Sequence, residues 1–597
     1  MICSYSANGF TIQLDLSRDE LLTEFGVATL KDRYMTGEES SPQEAFARAA
    51  CAFASDASHA QRLYNYASQL WFMFSTPILS NGGTKRGMPI SCFLNYVPDS
   101  RGGLTDHYTE NAWLSSMGGG IGGYWGAVRT NGIATSGGSK SSGAIPFMKV
   151  VDSEVLAFAQ GVTRRASYAA YLDISHPEIE EFLELRKPTG GDANRKCLNL
   201  HQGVNIPDAF MRIIEGCTNG TMKDDSWNLI DPHTKAFVKT VSARELWQRL
   251  LGIRVQQGEP YLHFIDTSNR ALPVIQQVLG LRVNQSNLCS EITLATNEER
   301  TAVCCLSSVN LEKWDDWRSC EMFIPDLVEM LDNVLEFFIQ NAPVALSKAV
   351  YSAMRERSIG IGAMGFHALL QSKRMPFQSV LATALNRRIF QHIKAAATNH
   401  TKRLANVRGE APDAVGTGVR NLHLLSIAPN ASSSIICGGT SPSIEPFRAN
   451  AYTQKTKTGT FLVKNKFLEE LLQEKGQNTS EVWSSIITSR GSVQHLDFLT
   501  AYEKEVYKTA LEIDQRWLVD HAADRQAFVC QAQSVNLFLP ADVSIPELHF
   551  LHLRAWKKGL KSLYYLRSEA IKRAENVSMK INREALKDYE GCLSCEG

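Results

Sequence analysis

Ser286-Asn287-Leu288-Cys289-Ser290-Glu291-Ile292 places an amide, a thiol and a carboxylate at alternate positions, on Asn287, Cys289 and Glu291. In an extended segment, residues two apart share a face. A helix would turn them by about 200° at each step of two, so the trio forms one chemical surface only if this stretch is strand or taut loop. Ile292, Thr293 and Leu294 lean toward the extended form, because branched side chains fit a pleated backbone. A buried cysteine with a capping asparagine and a solvated glutamate is the other reading of the same residues.

Working outward, helical patterns alternate with short apolar runs. Residues 18–74 read as helices, with Ser41-Pro42-Gln43-Glu44 as a start signal and an alanine-rich periodic stretch leading to Trp71 and Phe74. From Ser75-Thr76-Pro77 to about Leu200 come glycine-rich loops, a β-prone run at 90–97 and helices such as 176–187. Further helices are expected at 206–216, 243–257, 325–341, 378–406, 500–526 and 544–558, which together predict an α/β architecture. There is no tandem repeat. Residues 587–597 are polar, end on a CxxC and read as a tail rather than core.

The 597 residues carry a formal net charge of +0 with a pI near 7.2, which excludes the basic footprint of a duplex-binding protein. Met1 to Phe10 lack a basic region followed by an apolar core, so no secretory signal is read and a cytoplasmic protein is expected. The apolar run from Val334 to Val350 is broken by Glu336, Gln340, Asn341, Pro343 and Lys348, so no membrane span is expected. Thirteen cysteines, an odd count at irregular spacings, do not describe a disulfide scaffold. Those with chemical interest are Cys92, Cys289, Cys304, Cys592 and Cys595.

Three more fragments have two readings each. Gly118-Gly119-Gly120-Ile121-Gly122-Gly123 contains GxGxxG, but no Asp or Glu lies between Glu110 and Asp152, so the acidic ribose ligand of a dinucleotide site is missing. A glycine-rich turn and a phosphate loop both remain open. Pro429-Asn430-Ala431-Ser432-Ser433-Ser434 suits either a polar turn or a phosphate-binding helix start. Tyr564-Tyr565 is a core or interface pair unless another feature gives it a redox role.

As an ordered set, the Asn/Cys/Glu trio, Ser91-Cys92 after Ser75-Thr76-Pro77, Cys304, the tyrosine pair and the tail CxxC resemble the catalytic large subunit of class I ribonucleoside-diphosphate reductases. The resemblance runs from about Leu22 to the C-terminus. It implies a ten-stranded α/β barrel with a central finger loop over 75–575, after a helical segment at 1–74 and before a redox tail at 576–597.

It also implies roles. Cys289 would carry the thiyl radical that abstracts the ribose 3′-hydrogen, Glu291 would be the general base for the 3′-OH, and Asn287 would hold the 2′ side. Cys92 and Cys304 would supply the reducing electrons, the match of Ala302-Val303-Cys304-Cys305-Leu306-Ser307 favouring Cys304 over Cys305. Cys592 and Cys595 would re-reduce that pair. As half of a zinc site they lack a second His/Cys pair beside them, and no metal is expected in this chain.

Tyr564 and Tyr565 would relay an electron and a proton from a separate metal-containing small subunit. Thr76, Ser91, Gly120, Leu306 and Pro429, Asn430, Ala431, Ser432 and Ser433 match positions that touch the substrate diphosphate and ribose. Asp99, Ser116 and Arg129 match a nucleoside-triphosphate specificity site at a homodimer interface, and Arg164 and Arg165 lie in the loop joining that site to the substrate. Thioredoxin or glutaredoxin would be the final reductant.

Only 74 residues precede Ser75, which leaves no room for the ATP-cone that senses dATP in longer relatives; a short form of this kind would suit a phage or other virus, placing the enzyme in host cytoplasm. Titration with dATP is expected to leave reduction of the preferred substrate without strong shut-off; strong inhibition with a second nucleotide bound outside the effector site would refute this. Two competing readings are a nicotinamide-dependent dehydrogenase, which the missing ribose acid opposes, and a non-enzymatic nucleotide-binding or thiol-sensing scaffold.

Overall fold

The computed structural model describes residues 2–159, 166–456 and 459–568. Five strands, Cys92–Tyr96, Gly120–Tyr124, Ser167–Asp173, His201–Ile206 and Tyr261–Phe264, lie side by side in chain order and parallel. Parallel neighbours need crossovers. Here they are helical: Arg101–Ser116, Ile145–Ala157, the short Ile179–Phe182, and then Asp208–Thr218 with Ala243–Gln257.

The second half repeats the plan. Ala302–Asn310, buried at every residue as befits a strand covered on both faces, runs antiparallel to Cys92–Tyr96 and parallel to Ile359–Met364. Two bridging tracts follow. Ile361 N–H donates to Leu424 O at 2.8 Å, and Ile427 N–H donates to Ala532 O at 3.2 Å, so 423–427 and 531–535 continue the parallel set. Tyr564 N–H then donates to Val535 O at 2.8 Å, while Ser562–Leu563 pairs antiparallel with Tyr261–Phe264. The eight laddered strands and two bridging tracts thus close a ten-stranded α/β barrel, made of two parallel sets of five that meet at two antiparallel seams. A closed ring leaves no sheet edge to cap.

The N-terminal region is helical over Glu24–Arg33, Pro42–Phe53 and Ala57–Ser68, with the Ser41/Glu44 capping box read from the sequence. It opens differently from the helical segment expected at 1–74: Ile2–Ala7 and Phe10–Asp15 form a β-hairpin. Asn8 and Gly9 take φ of 50° and 78°, the mirror-image turn that asparagine-glycine favours. Ile12 and Leu14 face inward between polar neighbours, so a period of two carried the signal.

The 243–257 helix has the expected bounds. The single helix expected at 500–526 is two, Ala501–Val506 and Gln515–Gln526, because Thr509 engages Glu512 and Asp514 caps a new start by accepting from Arg516 N–H. Among the described residues no helix is long and apolar enough to cross a membrane.

Candidate active site

The chain between 281 and 300 enters the barrel as an irregular loop, pinned by strands of both halves. From the first half, Gln285 Nε2 donates to Asn95 O at 2.8 Å, Asn205 Nδ2 to Asn284 O at 2.7 Å, and Tyr171 Oη to Asn287 O at 2.7 Å. From the second, Ser534 Oγ donates to Cys289 O and Ser562 Oγ to Ser290 O, both at 2.6 Å, and Ser426 Oγ to Glu291 O at 2.8 Å. Buried carbonyls that have lost water are satisfied in this way by the barrel wall.

The loop is taut rather than stranded. Ser290 sits at φ 65°, and Asn287 Oδ1 accepts from the N–H groups of both Glu291 and Ile292 at 3.1 Å. Asn287 therefore acts as the brace of the turn as well as one member of the trio. Its Nδ2 is buried and has no hydrogen-bond partner among the described residues.

Room for the loop comes from a missing side chain. A Cβ on Gly122 would lie 2.1 Å from Ser286 O and 2.8 Å from Asn287 Cα. Neither backbone atom can retreat cheaply. Gly122→Ala is expected to displace the finger and lower stability by about 1–3 kcal/mol, with reductase activity falling more steeply than the melting temperature; an active, unshifted variant would contradict the close approach.

Cys289 is 3% exposed and packs with Leu288, Tyr171, Tyr261, Tyr564 and Tyr565. Cys92 and Cys304 stand directly opposite each other across the antiparallel seam. Such partners have Cα atoms roughly 4.5–5.5 Å apart, inside the range of about 4.4–6.8 Å that a disulfide spans. Both are packed with Ile292 and Leu294 of the finger. Burial pushes the Cys304 thiol well above its ordinary pKa, and Glu291 is near enough to add to that rise. Cys305 points the other way and hydrogen-bonds Leu331 O at 3.3 Å, outside the barrel lumen.

The Tyr564 and Tyr565 rings lie 4.3 Å apart between centroids. A third phenol, Tyr261, missed in the sequence, sits 4.8 Å from Tyr564 and 5.1 Å from Tyr565. Tyr565 Oη lies 3.3 Å from His201 Nδ1, and the Arg567 guanidinium lies 4.2 Å from the centre of its ring. Glu259, 2.6 Å from His201 and paired with Arg186, is held at a pKa of about 2: burial alone would raise it, but Arg186 and the hydrogen-bonded His201 outweigh burial.

A narrow cleft opens at the dithiol, lined by Ser75, Ser91, Cys92, Cys304 and Leu306 among others. Gly120 is in register with Cys92 on the neighbouring strand, and Thr76 is buried with Oγ1 3.1 Å from Tyr34 Oη. Pro429 leads into Asn430, at φ 53°, which immediately precedes the short helix Ala431–Ile436; Ser308 Oγ donates to Asn430 Oδ1 at 2.9 Å. Ser432 and Ser433 are buried in that helix start.

At the expected effector position Asp99 pairs with Arg129 at 2.8 Å and with His233 at 2.9 Å. Ser116 lies at the far end of the helix Arg101–Ser116, about 24 Å along its axis, so one chain alone does not bring it to that pair. Trp113, Val150, Leu156 and Phe158 are exposed on this helix and Ile145–Ala157 or just beyond it. Arg164, Arg165, Cys592 and Cys595 lie outside the described residues. Among the described residues no cluster of three or more His, Cys, Asp or Glu is arranged to hold a metal ion.

A closed α/β barrel with a buried thiol on an inner loop and a pair of thiols opposed across its seam defines a barrel oxidoreductase. Family models agree: "Ribonucleotide reductase, barrel domain" matches residues 90–414 and 411–566, and "Ribonucleotide reductase, all-alpha domain" matches 20–87. The chain belongs to the class I ribonucleotide reductase family as a large subunit.

The ribonucleoside-diphosphate reductase large subunit of Invertebrate iridescent virus 3 is 47% identical, over 98% of this chain and 100% of the relative. A putative counterpart from Frog virus 3 (isolate Goorha) is 49% identical, over 90% and 92%. The solved Actinobacillus ureae class Id ribonucleotide reductase alpha subunit superposes with a TM-score of 0.80 at 34% identity, covering 92% of this chain and 97% of that one. The reaction is therefore ribonucleoside-diphosphate reduction, a step in deoxyribonucleotide synthesis.

Proposed function

We propose that the chain reduces ribonucleoside diphosphates by thiyl-radical chemistry at Cys289, using Cys92 and Cys304 as the dithiol. The small subunit, with its metal centre, supplies the oxidising equivalent. Cys289 then takes the 3′-hydrogen of the ribose, a step a thiol suits because S–H and activated C–H bonds are comparable in strength. Glu291 removes the 3′-OH proton and the 2′-oxygen leaves as water, with the buried Asn287 Nδ2 as a donor on the 2′ side. Cys92 and Cys304 give up two electrons and two protons as they close to a disulfide, one proton going to the departing water and a hydrogen to C2′; Cys289 then returns the 3′-hydrogen and Glu291 the 3′-OH proton. Thr76, Ser91, Gly120, Leu306 and the 429–433 start of the short helix hold the substrate.

The observation that carries this reading is the register of Cys304 against Cys92 beside a finger that encloses Cys289. Tyr564 and Tyr565, in ring contact with each other and in one packed cluster with Cys289, suit a relay toward it. Cys592 and Cys595 serve as thiol carriers to the dithiol and pass oxidation on to thioredoxin or glutaredoxin. The exposed apolar residues of the two helices beside Asp99 and Arg129 favour a homodimer, which would bring the partner's Ser116 toward a nucleoside-triphosphate effector.

CDP reduction with the small subunit tests the whole. One turnover without external reductant is expected to yield a Cys92–Cys304 disulfide in peptide mapping. Product without that disulfide would overturn the dithiol assignment.

A further inference from the structure

Gln531 lies on the bridging tract 531–535, and its Nε2 is 3.5 Å from Cys304 Sγ and 3.1 Å from Ile359 O. A carbonyl oxygen only accepts, so the bond to Ile359 sets which end of the amide is nitrogen. One N–H therefore serves the carbonyl and the other faces the sulfur. The backbone that carries this side chain is fixed: its N–H donates to Leu425 O at 3.1 Å, and Lys561 Nζ and Gln526 Nε2 both donate to its main-chain carbonyl at 2.8 Å. On the other side Gly360 leaves room, since a Cβ there would lie 3.2 Å from the same sulfur and 2.3 Å from Leu306 Cδ2.

The two sulfurs of the dithiol thus have unequal surroundings. Cys304 is 1% exposed, and burial, with Glu291 nearby, holds its thiol well above the ordinary range; the Gln531 amide works against that rise and is the group that stabilises its thiolate. Cys92, which lines the same cleft as Cys304, is the more exposed of the two at 9%. An attacking thiolate needs access to one sulfur and a stabilised leaving group on the other.

We infer that Gln531 makes Cys304 the leaving sulfur, and Cys92 the sulfur attacked, when the disulfide formed in each turnover is reduced. The inference rests on the proposed dithiol role of the pair. The incoming dithiol's first thiolate bonds to Cys92 Sγ as the S–S bond breaks, and Cys304 departs as a thiolate held by the Gln531 N–H until it takes up a proton. The second thiol of the carrier then displaces Cys92, so the carrier ends as a disulfide and two electrons have reached the enzyme.

In the oxidised full-length enzyme, brief treatment with 2-mercaptoethanol, an acid quench and peptide mapping are expected to place the adduct on Cys92; an adduct on Cys304, or equal labelling of both, overturns the assignment. For Gln531→Met, reduction of the disulfide by dithiothreitol is expected to slow roughly ten- to a hundredfold, the range a hydrogen bond to a charged group supports. The pH profile for alkylation of Cys304 in the reduced variant should move to higher pH, which a purely structural role would not produce. A wild-type rate and profile sink the role of Gln531. Absence of any Cys92–Cys304 disulfide after turnover instead sinks the dithiol reading beneath it. Mapping on the wild-type chain decides the regiochemistry even if the variant does not fold.

Discussion

Cys289→Ser is expected to abolish deoxycytidine-diphosphate formation, a loss of roughly a thousandfold or more, while nucleotide binding persists. Serine is nearly the same size, and the loop is held through backbone carbonyls that the substitution leaves in place, those of Asn287, Cys289, Ser290 and Glu291. The finger should therefore keep its path. What disappears is a weak S–H bond, and a hydroxyl O–H is too strong to be opened by a tyrosyl radical and to be re-formed after hydrogen abstraction. Product assay alongside calorimetric titration with CDP separates chemistry from binding. Residual turnover by the serine variant would remove Cys289 from the chemistry, and with it the thiyl proposal.

Tyr564→Phe should stop multiple-turnover reduction with the small subunit. The change deletes one oxygen from a residue that is 1% exposed and keeps the ring contacts with Tyr261 and Tyr565. Circular dichroism and melting should move little. Phenylalanine has no phenolic proton to lose, so the oxidising equivalent cannot pass by coupled proton and electron transfer. Normal turnover by the variant would exclude the relay, while lost turnover with an unfolded protein would be read from the melting curve.

Much of the barrel was legible because its elements are local. The Ala243–Gln257 helix declares itself through Ser242, which caps it, and the αL glycine at Gly258 that ends it. The choice of Cys304 over Cys305 rests on the likeness of Ala302 to Ser307 to the family's pattern, and in the structure Cys304 faces Cys92 while Cys305 turns to Leu331; the trio is read from alternate spacing, but it lies on a braced loop rather than a strand. The hairpin at the N-terminus was equally readable, since Asn8-Gly9 between alternating residues is a strong short-range signal, but the helical periodicity after residue 18 dominated.

Other parts were hidden for a physical reason. Tyr261, His201, Glu259 and Gln531 gain meaning only from neighbours far along the chain: Gln531 meets Cys304, and His201 meets Tyr565. The taut finger depends in the same way on hydroxyls from Tyr171, Ser426, Ser534 and Ser562. No spacing rule records such long-range partners.

The strand seam that sets Cys304 against Cys92 also has a mechanical side. It is where the two halves of the ring meet, so a covalent S–S link there stitches them together. Tying residues so distant in the chain restricts the unfolded molecule by roughly 5 kcal/mol on the loop-entropy model. Each catalytic cycle would then alternate between a stapled, heat-resistant form and a looser, chemically charged one, so that a thermal shift reports the enzyme's readiness to react.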